Sequence, residues 1–235
     1  MYFSEKLSLL YIACPKTGSS SIESFLMKLD SSGNNFKIEI NNKLITSKEM
    51  HYGVVGHAHA WEFKEALGEQ IYNQLHVFGM VRHPFDKLIS SYYYAKSLKI
   101  SSVLKWKGEK NMFIRKIKGL ISHTAPNILP LSLWILFFPM KTSHQYYFDK
   151  NGNRIVQYLG RTDHLNEDLK LILKAIGISE NIDVPHSNKS KHKSRDHYFK
   201  NKWIKNHLSK KYAKDLELYQ LAEQEIKKMH QEYGQ

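Results

Sequence analysis

The sequence predicts an α/β protein with a central, mostly parallel sheet flanked by helices. Three observations predict it. Residues 9–14 (Leu9, Leu10, Tyr11, Ile12, Ala13, Cys14) and 77–81 (Val77, Phe78, Gly79, Met80, Val81) form two short apolar runs. Such runs suit strands buried on both faces of a parallel sheet. Each run ends in a turn signal, Pro15 with Gly18 in one case and Pro84 in the other. Apolar residues at helical spacing follow both, so strand and helix alternate.

Taken in order, the first helix carries Ile22, Phe25, Leu26 and Leu29 on one face, with serines at its start suited to capping. Residues 61–75 read as a helix crossing between strands. After the second run, Pro84 suits the first position of a helix whose apolar face is Phe85, Leu88, Ile89 and Tyr92. Residues 154–159 read as a strand. Asn166 can cap a helix with Leu169, Ile172, Leu173 and Ile176 inward and Gly177 as its stop. Residues 203–233 read as mostly helical and highly charged. The whole chain, residues 1–235, reads as one domain without repeats, with an insertion at about 97–143. That insertion holds a basic amphipathic stretch at 105–118 and an apolar run at 128–139. The run is too short to span a bilayer. It reads as a core helix, with an acceptor-site lid or a contact with anionic lipid as the functional alternatives.

The join between the first strand and the first helix reads Pro15-Lys16-Thr17-Gly18-Ser19-Ser20-Ser21. A loop in that place directs backbone N–H groups, hydroxyls and one ammonium at a small volume facing the positive end of a helix dipole. Phosphate or sulfate suits that volume. The loop is not a Walker A sequence, which sets its Lys after the second glycine; Lys16 precedes the only glycine here.

A second anion site follows. Arg82 closes the strand at 77–81, at the carboxyl end where open α/β sheets bind ligands. Its planar fork suits a phosphate dianion. The helical segment after it can return Ser90 towards it as one more donor.

These two segments resemble the cofactor motifs of sulfotransferases that use 3′-phosphoadenosine 5′-phosphosulfate (PAPS). The first resembles the 5′-phosphosulfate loop, which implies cofactor contacts from Lys16, Thr17, Gly18, Ser19, Ser20 and Ser21. The second, Arg82-His83-Pro84-Phe85-Asp86-Lys87-Leu88-Ile89-Ser90-Ser91-Tyr92, resembles the 3′-phosphate motif and implies Arg82 and Ser90. Two further blocks are similar to carbohydrate sulfotransferases. One runs from Gln145-Tyr146-Tyr147-Phe148 to Gly160-Arg161-Thr162-Asp163-His164 and on to Asp168 and Leu169. The other is Asn188-Lys189-Ser190 followed by a basic segment and a terminal helix containing Asp215. The resemblance implies a P-loop-like three-layer fold and sulfuryl transfer from PAPS to an acceptor hydroxyl, without a metal. Lys16 would neutralise charge on the leaving nucleotide.

Transfer to a hydroxyl needs a proton acceptor beside it. Gly56-His57-Ala58-His59 follows Val54-Val55, a plausible strand end, and is similar to the Gly-His region of uronyl 2-O-sulfotransferases. On that likeness His57 is the base. His59 is the second choice and Glu62 the third. His51, His76 and His83 have weaker cases. No His or Cys cluster has structural zinc spacing.

The formal charge of +13 and pI of about 9.5 favour anionic ligands: a nucleotide, an acidic or lipid-linked glycan, or a membrane surface. One cysteine, Cys14, excludes an internal disulfide and fits a reducing compartment; by pattern it belongs to the core. No signal peptide or membrane span is legible. The expectation is a bacterial, cytoplasmic enzyme, possible in the Golgi lumen only if an N-terminal anchor were removed. Two other functions remain open on the residues: a P-loop phosphotransferase or kinase, and a non-enzymatic polyanion binder using the basic surface.

Overall fold

The computed structural model describes residues 1–30, 37–40, 43–46, 57–97, 121, 124–179, 184 and 193–234. The chain opens with strands β1 (Tyr2–Ser4) and β2 (Leu9–Ile12), helix α1 (Ser19–Leu29) and the antiparallel pair β3 (Lys37–Ile40) and β4 (Lys43–Thr46). Helices α2 (Ala60–Leu67) and α3 (Glu69–Tyr72) lead to β5 (His76–Val81). Next come α4 (Pro84–Ser97), α5 (Leu131–Phe137), α6 (His144–Tyr147), β6 (Tyr158–Arg161) and α7 (Leu165–Ala175). The described elements end with α8 (Arg195–Tyr198), α9 (Lys202–Lys211) and α10 (Ala213–Tyr233). The chain divides into two compact units.

The first unit comprises Met1–His83, Thr142–Asn188 and Ala213–Gln235. Its main sheet runs β1-β2-β5-β6. The β2/β5 and β5/β6 pairs are parallel, and only the edge strand β1 is antiparallel. Leu9, Leu10, Tyr11, Ile12, Val77, Phe78 and Met80 are all fully buried, which is why this stretch of both strands is apolar apart from the Tyr11 hydroxyl. Helices α7 and α10 pack on β6 and on each other. The register sets Ile12 beside Gly79 and Val81 beside Arg161, so the strands finish together at one sheet edge.

Gly79 is required by packing. A Cβ there would lie 2.4 Å from the Tyr147 ring, whose hydroxyl donates to the Met80 carbonyl at 2.7 Å. Asp215, buried on α10, accepts from the N–H groups of Ser143 at 2.8 Å and His144 at 3.1 Å. It thereby caps the short α6 that carries Tyr146 and Tyr147. Cys14 is buried in this core, as expected.

The second unit comprises Pro84–Lys141 and Lys189–Tyr212. Helix α4 begins at Pro84 and buries Phe85, Leu88, Ile89 and Tyr92, the face the spacing predicts. These meet Leu131, Trp134 and Ile135 of α5 and Phe199 and Leu208. The apolar run at 128–139 therefore does contribute a core helix. Tyr92 donates to the carbonyls of Pro126 and Leu129, each at 3.0 Å. The buried Lys87 ammonium donates to the Lys141 carbonyl at 3.0 Å.

Several elements differ from the sequence expectation. The helix expected at 61–75 breaks at Gly68, whose φ of +81° ends α2. Strand β6 starts at Tyr158 rather than 154, because Asp149 accepts from the N–H groups of Asn151 and Asn153 and turns the chain at Gly152. Asn166 caps no helix; its side chain accepts from Val184 N–H at 3.1 Å. Gly177, at φ +83°, stops α7 as expected. The stretch at 203–233 is two helices that part at Tyr212, whose hydroxyl accepts from Met140 N–H at 3.0 Å. Among the described residues no helix is long and apolar enough to cross a membrane.

Candidate anion-binding and transfer site

β2 delivers the chain to Cys14, and residues 15–18 then reverse it into α1. Two residues of this loop take left-handed backbone, Lys16 at φ +67° and Gly18 at φ +76°. Gly18 adopts it at little cost; for Lys16 it costs about 1 kcal/mol. Left-handed residues on either side of Thr17 curl successive N–H groups to one side, the geometry of an anion nest. Thr17 is buried, and its hydroxyl donates to the Cys14 carbonyl at 2.9 Å, pinning the loop from within.

Gly18, not a serine, is the N-cap of α1, and no side chain caps it. Its carbonyl accepts from Ser21 and Ile22 N–H. Among the described residues no protein acceptor meets the N–H groups of Gly18, Ser19 or Ser20. Open N–H groups, a helix dipole and hydroxyls at Ser19 and Ser20 fit a tetrahedral dianion. Ser21 is buried in the first turn instead.

The ends of β5 and β6 close on this loop. Arg82, directly after β5, donates through Nη1 to the Lys16 carbonyl at 3.3 Å. The Thr162 hydroxyl lies 3.0 Å from the Val81 carbonyl oxygen and 3.3 Å from that of Thr17, one proton spanning both neighbours. Arg161 supports Thr162 from behind. Its guanidinium is bidentate to the fully buried Asp168, Nε to Oδ2 at 2.8 Å and Nη2 to Oδ1 at 2.9 Å. Asp168 also accepts the Arg161 N–H at 2.7 Å. Burial, with the Arg82 guanidinium beside it, brings the Lys16 ammonium down to about 8. Lys16 and Arg82 thus bring two cations side by side. A bound dianion would relieve that repulsion.

The candidate bases stand at the entry to α2. His57 is exposed, and its Nδ1 lies 3.3 Å from the Ala13 carbonyl. A carbonyl only accepts, so Nδ1 carries the proton and Nε2 the lone pair. Ala13 immediately precedes the anion loop, so this contact ties the imidazole to the loop's own strand. His59 is held differently: its ring stacks on Tyr146 with centroids 4.7 Å apart, and its Nδ1 lies 3.0 Å from Glu62 Oε2. The same Glu62 oxygen accepts the His59 backbone N–H at 2.6 Å. Glu62 therefore serves the N-terminus of α2. Tyr146 also meets His57 edge-on at 6.5 Å.

Lys16, Thr17, Gly18, Ser19, Ser20, Arg82 and His57 thus gather around the loop and strand ends of the first unit. Ser90 lies buried on α4 of the second unit. His76 opens β5, His83 meets Tyr219 edge-on at 5.4 Å, and His51, Val54 and Val55 lie outside the described residues, as do Asn188, Lys189 and Ser190. Thr162, Tyr146 and Asp215 were given no role from sequence. The signal for Thr162 was its place just beyond a short strand, which only the parallel register turns into a neighbour of the loop. Among the described residues no group of His, Cys, Asp or Glu is arranged to hold a metal ion.

The fold defines an α/β protein with a loop suited to an anion at the carboxyl ends of parallel strands. The sulfotransferase family profile matches residues 1–128, more than half of the chain. The chain belongs to the sulfotransferase family. An uncharacterized protein of Archaeoglobus fulgidus is 27% identical over 128 residues, covering 53% of this chain and 87% of that protein. No solved structure matches the chain. Family membership carries transferase activity and sulfuryl transfer as the reaction class.

Proposed function

We propose that the donor is PAPS and that the acceptor is a hydroxyl of a carbohydrate: a glycan, polysaccharide or glycolipid. The observation that carries the donor reading is the joining of two cations, Lys16 and Arg82, at an open helix N-terminus. A nucleotide with phosphate groups at both its 5′ and 3′ positions needs two such anion holds, and on this reading they are the loop after β2 and Arg82 after β5. The carbohydrate reading rests on the likeness around His57.

When bound, PAPS supplies the sulfuryl group, which moves to the acceptor oxygen by in-line displacement at sulfur. The chain's residues do the rest. Backbone N–H groups of Gly18, Ser19 and Ser20, with the Ser19 and Ser20 hydroxyls, hold the 5′ end. Arg82 binds the 3′-phosphate; Ser90, which the likeness assigns to the same phosphate, belongs to the second unit. His57 Nε2 accepts the proton of the attacking hydroxyl as the new S–O bond forms. Lys16 would balance the charge that collects on the leaving nucleotide as the old S–O bond breaks. No metal enters these steps. His59 and Glu62 are assigned support of α2 beside the base. The buried thiol Cys14 suits a cytoplasmic enzyme.

The test is direct transfer. Protein, PAPS and a panel of mono- and polysaccharides are incubated, and both the sulfated product and 3′-phosphoadenosine 5′-phosphate are followed by mass spectrometry. The proposal expects both in equal amounts with wild type and neither with His57→Ala. Phosphoryl transfer from magnesium ATP to the same acceptors, with PAPS inert, would overturn it in favour of a kinase.

A further inference from the structure

The charge of this chain is unevenly placed. The second unit, 84–141 and 189–212, holds nineteen of the 35 Lys and Arg but three of the 22 Asp and Glu. The first unit is therefore slightly acidic, although the loop proposed to bind the donor lies in it. Within the described residues of the second unit the balance is still ten cations against two acids, and one of those acids, Asp86, is paired with Arg195 at 3.3 Å. A cofactor site in the first unit does not account for this excess.

The same unit leaves large apolar side chains in water. Trp203 is 64% exposed on α9, between the exposed Lys202 and Lys205. Its ring stacks on His207, centroids 5.6 Å apart, one turn further along. Phe137 is 68% and Leu133 44% exposed on α5, also one turn apart, while Leu131, Trp134 and Ile135 fill the core from the other side of that helix. Ile128, just before α5, is 81% exposed. Surface aliphatic residues standing singly are ordinary, but an exposed Trp on a lysine-rich helix and a Leu/Phe pair on another helix of the same cationic unit are not.

We propose that the second unit docks on an anionic lipid surface, with Trp203, Leu133 and Phe137 entering the headgroup boundary and the lysines of α9 meeting the lipid phosphates. Charge complementarity selects an anionic partner. The apolar side chains select lipid over a soluble polyanion, because a glycan or nucleic acid gives Phe137 and Leu133 no apolar phase to enter. Lysine and arginine near an anionic leaflet add attraction that salt screens, and the buried rings add a part that salt does not. Such docking would bring the transfer site to acceptors carried on lipid, and it stands independently of the donor assignment.

The experiment is co-sedimentation with vesicles of phosphatidylcholine alone and of phosphatidylcholine mixed with phosphatidylglycerol, with no nucleotide present. The variants are Trp203→Ser, Leu133→Ser/Phe137→Ser and Lys202→Glu/Lys205→Glu. All alter exposed positions, and circular dichroism confirms their folding. Wild type is expected to bind the mixed vesicles and not the neutral ones. Each apolar variant should bind about tenfold more weakly or worse, and the charge variant should lose most of the salt-sensitive part. Trp203 fluorescence should shift to the blue on mixed vesicles. Absence of binding to the mixed vesicles overturns the proposal. So does binding that heparin or DNA abolishes and that the two apolar variants leave unchanged, which would mark a soluble-polyanion surface.

Discussion

Arg82 donates from its guanidinium to the main-chain carbonyl of Lys16 at 3.3 Å. The contact joins the end of β5 to the loop after β2, and it places a second positive charge beside the one ammonium of that loop. Removing Arg82 therefore does two things at once. It takes away the proposed phosphate ligand, and it loosens the loop after β2. Arg82→Ala should weaken binding of a 3′-phosphorylated nucleotide by about 2–3 kcal/mol, and Arg82→Lys should recover only part of that, since a single ammonium cannot both fork a phosphate and hold the Lys16 carbonyl. Calorimetric titration of the three proteins checks this; equal affinity in Arg82→Lys and wild type would argue against the fork.

Lys16 makes a pH dependence predictable. Its ammonium titrates near 8 in the folded chain instead of 10.5. Between those values the unfolded chain holds a proton the folded chain has released, so this group makes folding stability rise with pH across that window. Phosphate binding has the opposite sign, because it favours the ammonium. If only the charged form binds, affinity for 3′-phosphoadenosine 5′-phosphate falls about tenfold from pH 7 to pH 9. The profile of Lys16→Ala should be flat over the same range.

The left-handed backbone of Lys16 allows a separate test. Lys16→Gly relieves the conformational cost and the burial of a charge together. It should raise stability by up to about 1 kcal/mol from the backbone alone, and the melting temperature with it, while nucleotide affinity falls. A variant that loses both stability and binding would show that the loop conformation is not strained at this residue.

The parallel alternation, the loop and Arg82 were legible in the sequence because each is local. An apolar run ends at Pro15 or at Arg82, and a helical face follows within a few residues. The smaller elements were not legible. β1 is three residues long and is defined only by pairing with β2. Thr162 reaches the loop across 145 residues, through a register that periodicity does not carry. Serines at the start of α1 suggest a cap because they are strong caps in isolation, whereas the tight loop needs positive φ at the cap position and so takes Gly18.

Thr162 and its support give a prediction about the part that was not legible. Thr162→Val keeps the shape and removes the proton shared by the Val81 and Thr17 carbonyls. It should cost about 1 kcal/mol of stability and weaken nucleotide binding without touching the nucleotide. Asp168→Asn breaks the buried bidentate pair with Arg161 and should cost about 3 kcal/mol. Chemical denaturation measures both. A cost at Asp168 no larger than that at Thr162 would mean that the pair is not what holds the end of β6.

Packing at Gly79 is the sharpest stability test. A methyl group there meets the Tyr147 ring at 2.4 Å in a fully buried place. Gly79→Ala should cost about 1–3 kcal/mol through displaced aromatic packing and should disturb α6, which carries Tyr146 beside His57 and His59. Thermal unfolding reads the first effect and near-ultraviolet circular dichroism the second. An unchanged melting temperature would contradict the packing.

The most direct measurement is calorimetric titration of 3′-phosphoadenosine 5′-phosphate against wild type, Lys16→Ala and Arg82→Ala, with AMP and ATP as competitors lacking the 3′-phosphate. The account predicts binding to wild type on the order of −8 kcal/mol, weakened by each substitution, with AMP and ATP far weaker. Equal binding of ATP, or binding that neither substitution weakens, would contradict the assignment of this loop and Arg82 as the PAPS site.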